Sequence, residues 1–146
     1  MNRPVMYIIA NQGLRMSSGK LASQVAHAAV RAAVDCHPNQ VAEWLEKGET
    51  KIVLSARDND HMLWAERYLQ ERGFRTWLVI DEGHTEIPPL SPTALAVPPV
   101  EKDAEQTKFA FESFKLYKDA PPEAMGLPDE LWTITEAQPR KRWWPR

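Results

Sequence analysis

The stretch that most constrains this chain is a short apolar run, Val5–Ala10, followed at once by Gly13-Leu-Arg-Met-Ser-Ser-Gly-Lys20 and a long Ala-rich segment. A continuous apolar run of this length reads as a strand buried on both faces. Ser17 or Ser18 can cap the helix that follows, which the periodicity puts at about 19–36. Its apolar positions are Ala22, Val25, Ala29, Ala32 and Cys36; its polar positions are Lys20, Gln24, His27, Arg31 and Asp35. The reading therefore sets Gln24 on the polar face, opposite the sheet, and lets small alanines bring the helix close. A helix N-terminus presents unpaired N–H groups and the positive end of the dipole. With Lys20 in the first turn, the segment is a candidate anion site.

The rest of the chain fits the same frame. His37-Pro38-Asn39 breaks the first helix, and 40–47 forms a short second one ending at Gly48. Lys51–Ala56 is a second strand. Asp58 caps a helix over about 59–72, with Met62, Ala65 and Leu69 on one face and Gly73 at its end. Thr76–Asp81 is a third strand, so this strand–helix–strand unit predicts parallel strands with a right-handed crossover. Residues 82–92 hold Gly83, Pro88, Pro89 and Pro92 and cannot be a helix. Thr93–Val97 then forms a strand placed antiparallel, because no crossover helix precedes it. Lys102–Phe111 is a last helix, and Phe114–Tyr117 an edge strand. The fold class is α/β: three layers, α/β/α, around a small mixed four-stranded sheet. Trp44, Trp64 and Trp77 are assigned to the core or its edge.

From Asp119 the composition turns Pro-rich, then ends in Arg140-Lys-Arg-Trp-Trp-Pro-Arg146. The division is a domain over 1–118 and a tail over 119–146, with a helical turn at 129–133. At 146 residues the chain suits one domain with a real core. A net charge of −2 gives no global pull toward nucleic acid. Residues 1–34, however, carry Arg3, Arg15, Lys20 and Arg31 and no acidic residue, and Arg140, Lys141, Arg142 and Arg146 close the chain. A local basic surface is open to it; the tail reads as an RNA contact, a subunit contact or a free end. The single cysteine, Cys36, excludes a disulfide framework or Cys-rich metal site and is expected to pack against the sheet. No apolar run reaches the length of a membrane span, and the N-terminus lacks the pattern of a secretory signal, so a cytoplasmic protein is expected.

A nucleotide-binding P-loop fails on spacing, since five residues separate Gly13 from Gly19 and Leu21 follows the lysine. Topology offers a different site. Ligands of such sheets sit beyond the carboxyl ends of parallel strands. Lys20 follows strand one, Asp81 ends strand three, and Thr93 opens the antiparallel strand at the same edge. An ammonium, a carboxylate and a hydroxyl there can position water and stabilise an oxyanion. Each also has a plainer reading: Lys20 as a solvated first-turn residue, Asp81 as a turn former, Thr93 as a β-former, His84 as a surface loop residue.

Leu14-x-Met16-x-x-Gly19-Lys20-x-Ala22-x-Gln24-x-x-His27-Ala28 resembles the N-terminal signature of the archaeal and eukaryotic, type 2, peptidyl-tRNA hydrolases. Asp81-x-Gly83-x-Thr85-x-Ile87-x-Pro89-x-Ser91-x-Thr93 resembles their second signature, and the likeness runs from about Val5 to Tyr117. The resemblance implies hydrolysis of the ester joining a peptide, or an N-blocked amino acid, to the terminal ribose of tRNA, which recycles the tRNA. It also implies no metal or other cofactor, no membrane, and commonly a homodimer. By position it makes Lys20, Asp81 and Thr93 candidate catalytic residues. Gln24, His27, Thr85, Arg15 and Ser18 become candidate substrate contacts. His27 lies seven residues beyond Lys20, roughly 10 Å along the helix, which suits a structural or tRNA-contacting role. The chain departs from the family pattern at Asn11-Gln12-Gly13, where Arg-x-Asp is usual, and at Glu82, Leu90 and Pro98. Those departures motivate an alternative, a non-catalytic tRNA- or protein-binding module that keeps the fold. A third reading is a small phosphate-ligand enzyme.

Overall fold

A computed structural model describes residues 1–83 and 86–119. Strand β1, Pro4–Asn11, is followed by a single 3-10 turn at Gln12–Leu14, helix α1 at Ser18–Val34 and helix α2 at Pro38–Glu46. Next come β2 at Lys51–Ala56, α3 at Asn59–Glu71, β3 at Trp77–Asp81 and β4 at Ser91–Ala96. The described chain closes with β5 at Val100–Glu101, α4 at Glu105–Phe111 and β6 at Lys115–Leu116.

The sheet order is β3-β4-β1-β2-β6, with β5 paired to the start of β1. β1 and β2 are parallel; β4 runs antiparallel to both β1 and β3. β3 therefore points the same way as β1 and β2, as the strand–helix–strand pattern predicts. The sheet is mixed, but it holds six strands rather than four. The additional pairings are two-residue strands: β6 lies within the expected edge strand Phe114–Tyr117, and β5 has no counterpart among the expected strands. Pro98 and Pro99 lack backbone N–H groups and end β4, and the chain then returns to pair Val100 with Val5 and Glu101 with Pro4. So short a strand leaves no alternation to read.

β1 is buried along its whole length and feeds two cores by strict alternation. Met6 and Ile8 meet Ala28, Ala29 and Ala32 of α1, Trp44 of α2, and Val79, Ala94 and Ala96. Val5, Tyr7 and Ile9 meet Met62, Ala65 and Leu69 of α3, Ala110 and Phe111 of α4, and Phe114. The Tyr7 and Phe111 rings stack at 4.0 Å. Helices thus cover both faces, giving the three layers.

Three local expectations need correction. α2 begins at Pro38, not at 40, because proline is well suited to a first helical position and His37 caps it, its Nδ1 accepting the Asn39 N–H at 3.2 Å. Trp44 is buried and Trp77 half-buried, but Trp64 is exposed. It sits one residue before Ala65, about 100° around the helix from the sheet-facing side, and stacks on Tyr68 at 4.6 Å. In α1, Ala22 is exposed and Gln24 is buried, the reverse of the simple stripe. Cys36 is buried. The tail from 120 onward, including the turn expected at 129–133, lies outside the described residues.

Candidate active site

The directions of β1, β3 and β4 bring three chain segments to one sheet edge. β1 ends at Asn11, β3 ends at Asp81, and β4 starts at Ser91, which pairs with Asp81. Asn11 is fully buried and ties this edge together. Its Nδ2 donates to the Pro92 carbonyl at 2.9 Å and to Asn59 Oδ1 at 2.8 Å, while its Oδ1 accepts the Gly13 N–H. Every polar atom of that side chain is engaged, which burial demands.

Ser17 caps α1, its Oγ accepting the Lys20 N–H at 3.3 Å. That cap sets Lys20 in the first turn, facing the end of β3. Lys20 Nζ donates to Asp81 Oδ1 at 2.9 Å, and both side chains are largely enclosed, at 14% and 16% exposure. Gln24, one turn on, is 3% exposed. Its Nε2 lies 3.5 Å from the same Asp81 oxygen, and its Oε1 accepts the Thr93 hydroxyl at 2.6 Å. Asp81 Oδ2 accepts the Gly83 N–H at 2.9 Å. The result is a connected chain, Thr93 to Gln24 to Asp81 to Lys20. Gln24 occupies the sheet-facing stripe because both ends of its amide find partners there, which removes the usual cost of burying it.

Thr93 is fully buried and reaches the site through Gln24. With its hydroxyl donated to Oε1, the amide must turn its NH2 toward Asp81. Ser18 is the first residue of α1 and is exposed; Arg15 is exposed in a left-handed backbone conformation at φ 50°. His27 is exposed further along α1, apart from the Lys20–Asp81 pair. Thr85 and His84 lie outside the described residues.

The described residues on either side of 84 and 85 in the β3–β4 connection lie close together. Gly83 has φ 76°, and a side chain there would collide with Pro88 and Pro89. Leu90 is also left-handed, at φ 60°, which explains why glycine would suit the position. Sequence reasoning misses two residues of this neighbourhood. Asn11 stands out in the sequence only as a departure from a pattern, not as the buried tie it is. Glu86 carries no sequence signal of its own; its carboxylate accepts from both Ser17 N and Ser17 Oγ at 2.7 Å. Those hydrogen bonds, with Lys20 nearby, hold its carboxyl below its ordinary value.

The profile of the family described as Peptidyl-tRNA hydrolase PTH2 matches residues 4–117. The chain belongs to this family. The PTH2 match starts with the first residue of β1 and ends just past β6, so it takes in the whole described sheet. Among similar proteins, a peptidyl-tRNA hydrolase of Pyrobaculum aerophilum is 37% identical over 118 residues, covering 77% of this chain and 97% of its own length. One of Methanopyrus kandleri is 37% identical over 94 residues, covering 63% of this chain and 81% of its own. One of Thermococcus onnurineus is 34% identical over 99 residues, covering 66% and 84%.

Proposed function

We propose that Lys20 and Asp81, supported by Gln24 and Thr93, form the site at which this PTH2 protein hydrolyses peptidyl-tRNA. Family membership makes the activity that of a peptidyl-tRNA hydrolase, a carboxylic ester hydrolase, and does not favour a non-catalytic module. The observation that carries the site is the Lys20–Asp81 pair, 2.9 Å apart and mostly enclosed at the sheet edge.

The reaction needs water delivered to the ester carbonyl and a counter-charge for the oxyanion that forms. Asp81 is fixed from two sides, by Lys20 and Gln24 on one oxygen and by Gly83 on the other. A carboxylate so held can orient an attacking water. Aspartate is a weak base at its ordinary pKa of about 3.9, so orientation counts for more here than proton abstraction. The Lys20 ammonium has three N–H donors; one meets Asp81, and another can meet the developing oxyanion. Thr93 fixes the Gln24 amide and thereby Asp81. The tRNA is the peptide's leaving group. Exposed Arg15, Ser18 and His27 on and before α1 supply contacts for its backbone, with Thr85 joining from the β3–β4 connection. We further assign the protein to the cytoplasm, in keeping with a family tied to translation and with no described helix long and apolar enough to cross a membrane. A homodimer is the assembly the family resemblance suggests.

The test is release of N-acetyl-aminoacyl groups from tRNA by wild type, Lys20→Ala and Asp81→Ala. Each substitution should lower kcat by about 10²-fold or more, the usual cost of removing such a group. Wild-type turnover in both variants would overturn the assignment of residues. Tight tRNA binding with no turnover in the unaltered protein would instead support a binding module.

A further inference from the structure

We propose that Glu86 is a positioning residue for Lys20, completing from a distant part of the chain the cap of the helix that carries the lysine. The proposal rests on the reading of Lys20 and Asp81 given above.

In a helix opened by serine, the N–H of the capping residue is commonly satisfied by a Glu or Gln three positions on, whose side chain reaches back. Here the cap is Ser17, so that position belongs to Lys20. An ammonium has no acceptor. The site's own lysine has displaced the residue that would normally close the cap. Glu86 takes over this duty from 69 residues away, accepting Ser17 N–H and Oγ–H at 2.7 Å each. Ser17 Oγ in turn accepts the Lys20 N–H. One serine oxygen thus links Glu86 to the backbone of Lys20.

The same pair of hydrogen bonds fastens the β3–β4 connection to α1. Asp81 holds the front of that connection through Gly83 N–H, and Ser91 Oγ closes its far end on the Pro88 carbonyl at 2.5 Å. Glu86 lies between these ties. It therefore ties the start of the helix that carries Lys20 to the connection that leaves Asp81. The hydrogen bonds are short and charge-assisted, and they lie at the positive end of the helix, where a carboxylate is favoured. An exposed pair of this kind adds little to global stability; its effect is on geometry.

Four variants distinguish this role from a merely structural one: Glu86→Ala, Glu86→Gln, Ser17→Ala and the Glu86→Ala/Ser17→Ala double. They are assayed on N-acetyl-aminoacyl-tRNA beside Lys20→Ala and Asp81→Ala. Glu86→Ala should lower kcat about tenfold or more, as loss of alignment does, with KM nearly unchanged and an unaltered thermal midpoint. Glu86→Gln keeps an oxygen able to accept the Ser17 N–H and should recover most of the loss. The double variant should be no slower than the slower single one, because both remove the same link. If Glu86→Ala turns over like wild type while Lys20→Ala and Asp81→Ala are inactive, the positioning role is wrong and the site reading stands. If those two remain active, the site reading itself fails. A Glu86→Ala protein with lower KM and unchanged kcat would mean that Glu86 acts by repelling tRNA phosphates, which also overturns the proposal.

Discussion

Gly13 is where the sequence departs most visibly from its family pattern, and the structure supplies a local reason for glycine there. A Cβ at this position would collide with the Arg57 carbonyl oxygen and come within 3.1 Å of Asp58 Cα. The obstruction is backbone, which cannot swing aside as a side chain can. Gly13→Ala should therefore destabilise the fold by about 1–3 kcal/mol, the usual range for overpacking, measured by chemical denaturation. Leu90 is the reverse case, a branched side chain in a left-handed backbone and 74% exposed; nothing in the structure explains its retention. At this scale the sequence is legible where chemistry is marked by residue type. Lys20 and Asp81 meet at the edge that strand direction predicts, and Thr93 joins them through Gln24. It is less legible at Gln24 and Asn11, because burial of an amide depends on partners from another strand. Thr93 and Pro92 lie far away in the chain, and helical periodicity carries no signal for them.

Among the elements, α3 shows how a cap and a ring can share one residue. His61 N–H bonds to the Asp58 cap, while its Nδ1 accepts the Arg57 N–H at 3.0 Å and its ring stacks on Phe114. Burial first, and then the Arg57 charge, hold His61 below its ordinary 6.5, with Asp58 pulling weakly the other way. The folded state thus favours the neutral ring. Its contribution to stability is present above pH 6.5 and is lost as pH falls through the lower folded value. The drop in thermal midpoint between about pH 7 and about pH 5 should be smaller in His61→Phe than in wild type. Most elements can be read in advance: β2 lies on its expected bounds, and α1, α3, β3 and β4 within a residue or two at each end. α4 starts three residues late, at Glu105, because Lys102 N–H first bonds back to the Arg3 carbonyl. That bond comes from the β5–β1 pairing, which a linear pattern does not reveal.

For the whole molecule, the charge pattern points to the far end of the chain. The described domain delivers its last residues beside the 3-10 turn, where Gln12 Nε2 donates to the Lys118 carbonyl at 2.6 Å. The segment that begins there, and ends basic and aromatic, starts close to the same sheet edge as the site. One of the roles open to it is to add phosphate contacts to tRNA. Truncation after Lys118 should make the dependence of log Kd on log salt shallower by about one unit for each phosphate no longer bound. An unchanged slope in a filter-binding titration would exclude such a role for the tail.

The order of strands carries a consequence for how activity is acquired. β4 lies between β1 and β3, so the strand that ends in Asp81 has no place in the sheet until the strand after it has arrived. Lys20 and Asp81, separated by 61 positions, can meet only once the chain as far as Ala96 is made and paired. Long-range pairing of this kind comes late and at a cost in loop closure. Fragments ending before Ala96 should therefore release no N-acetyl-aminoacyl groups from tRNA. The pair is thus a product of the closed sheet and of no single segment.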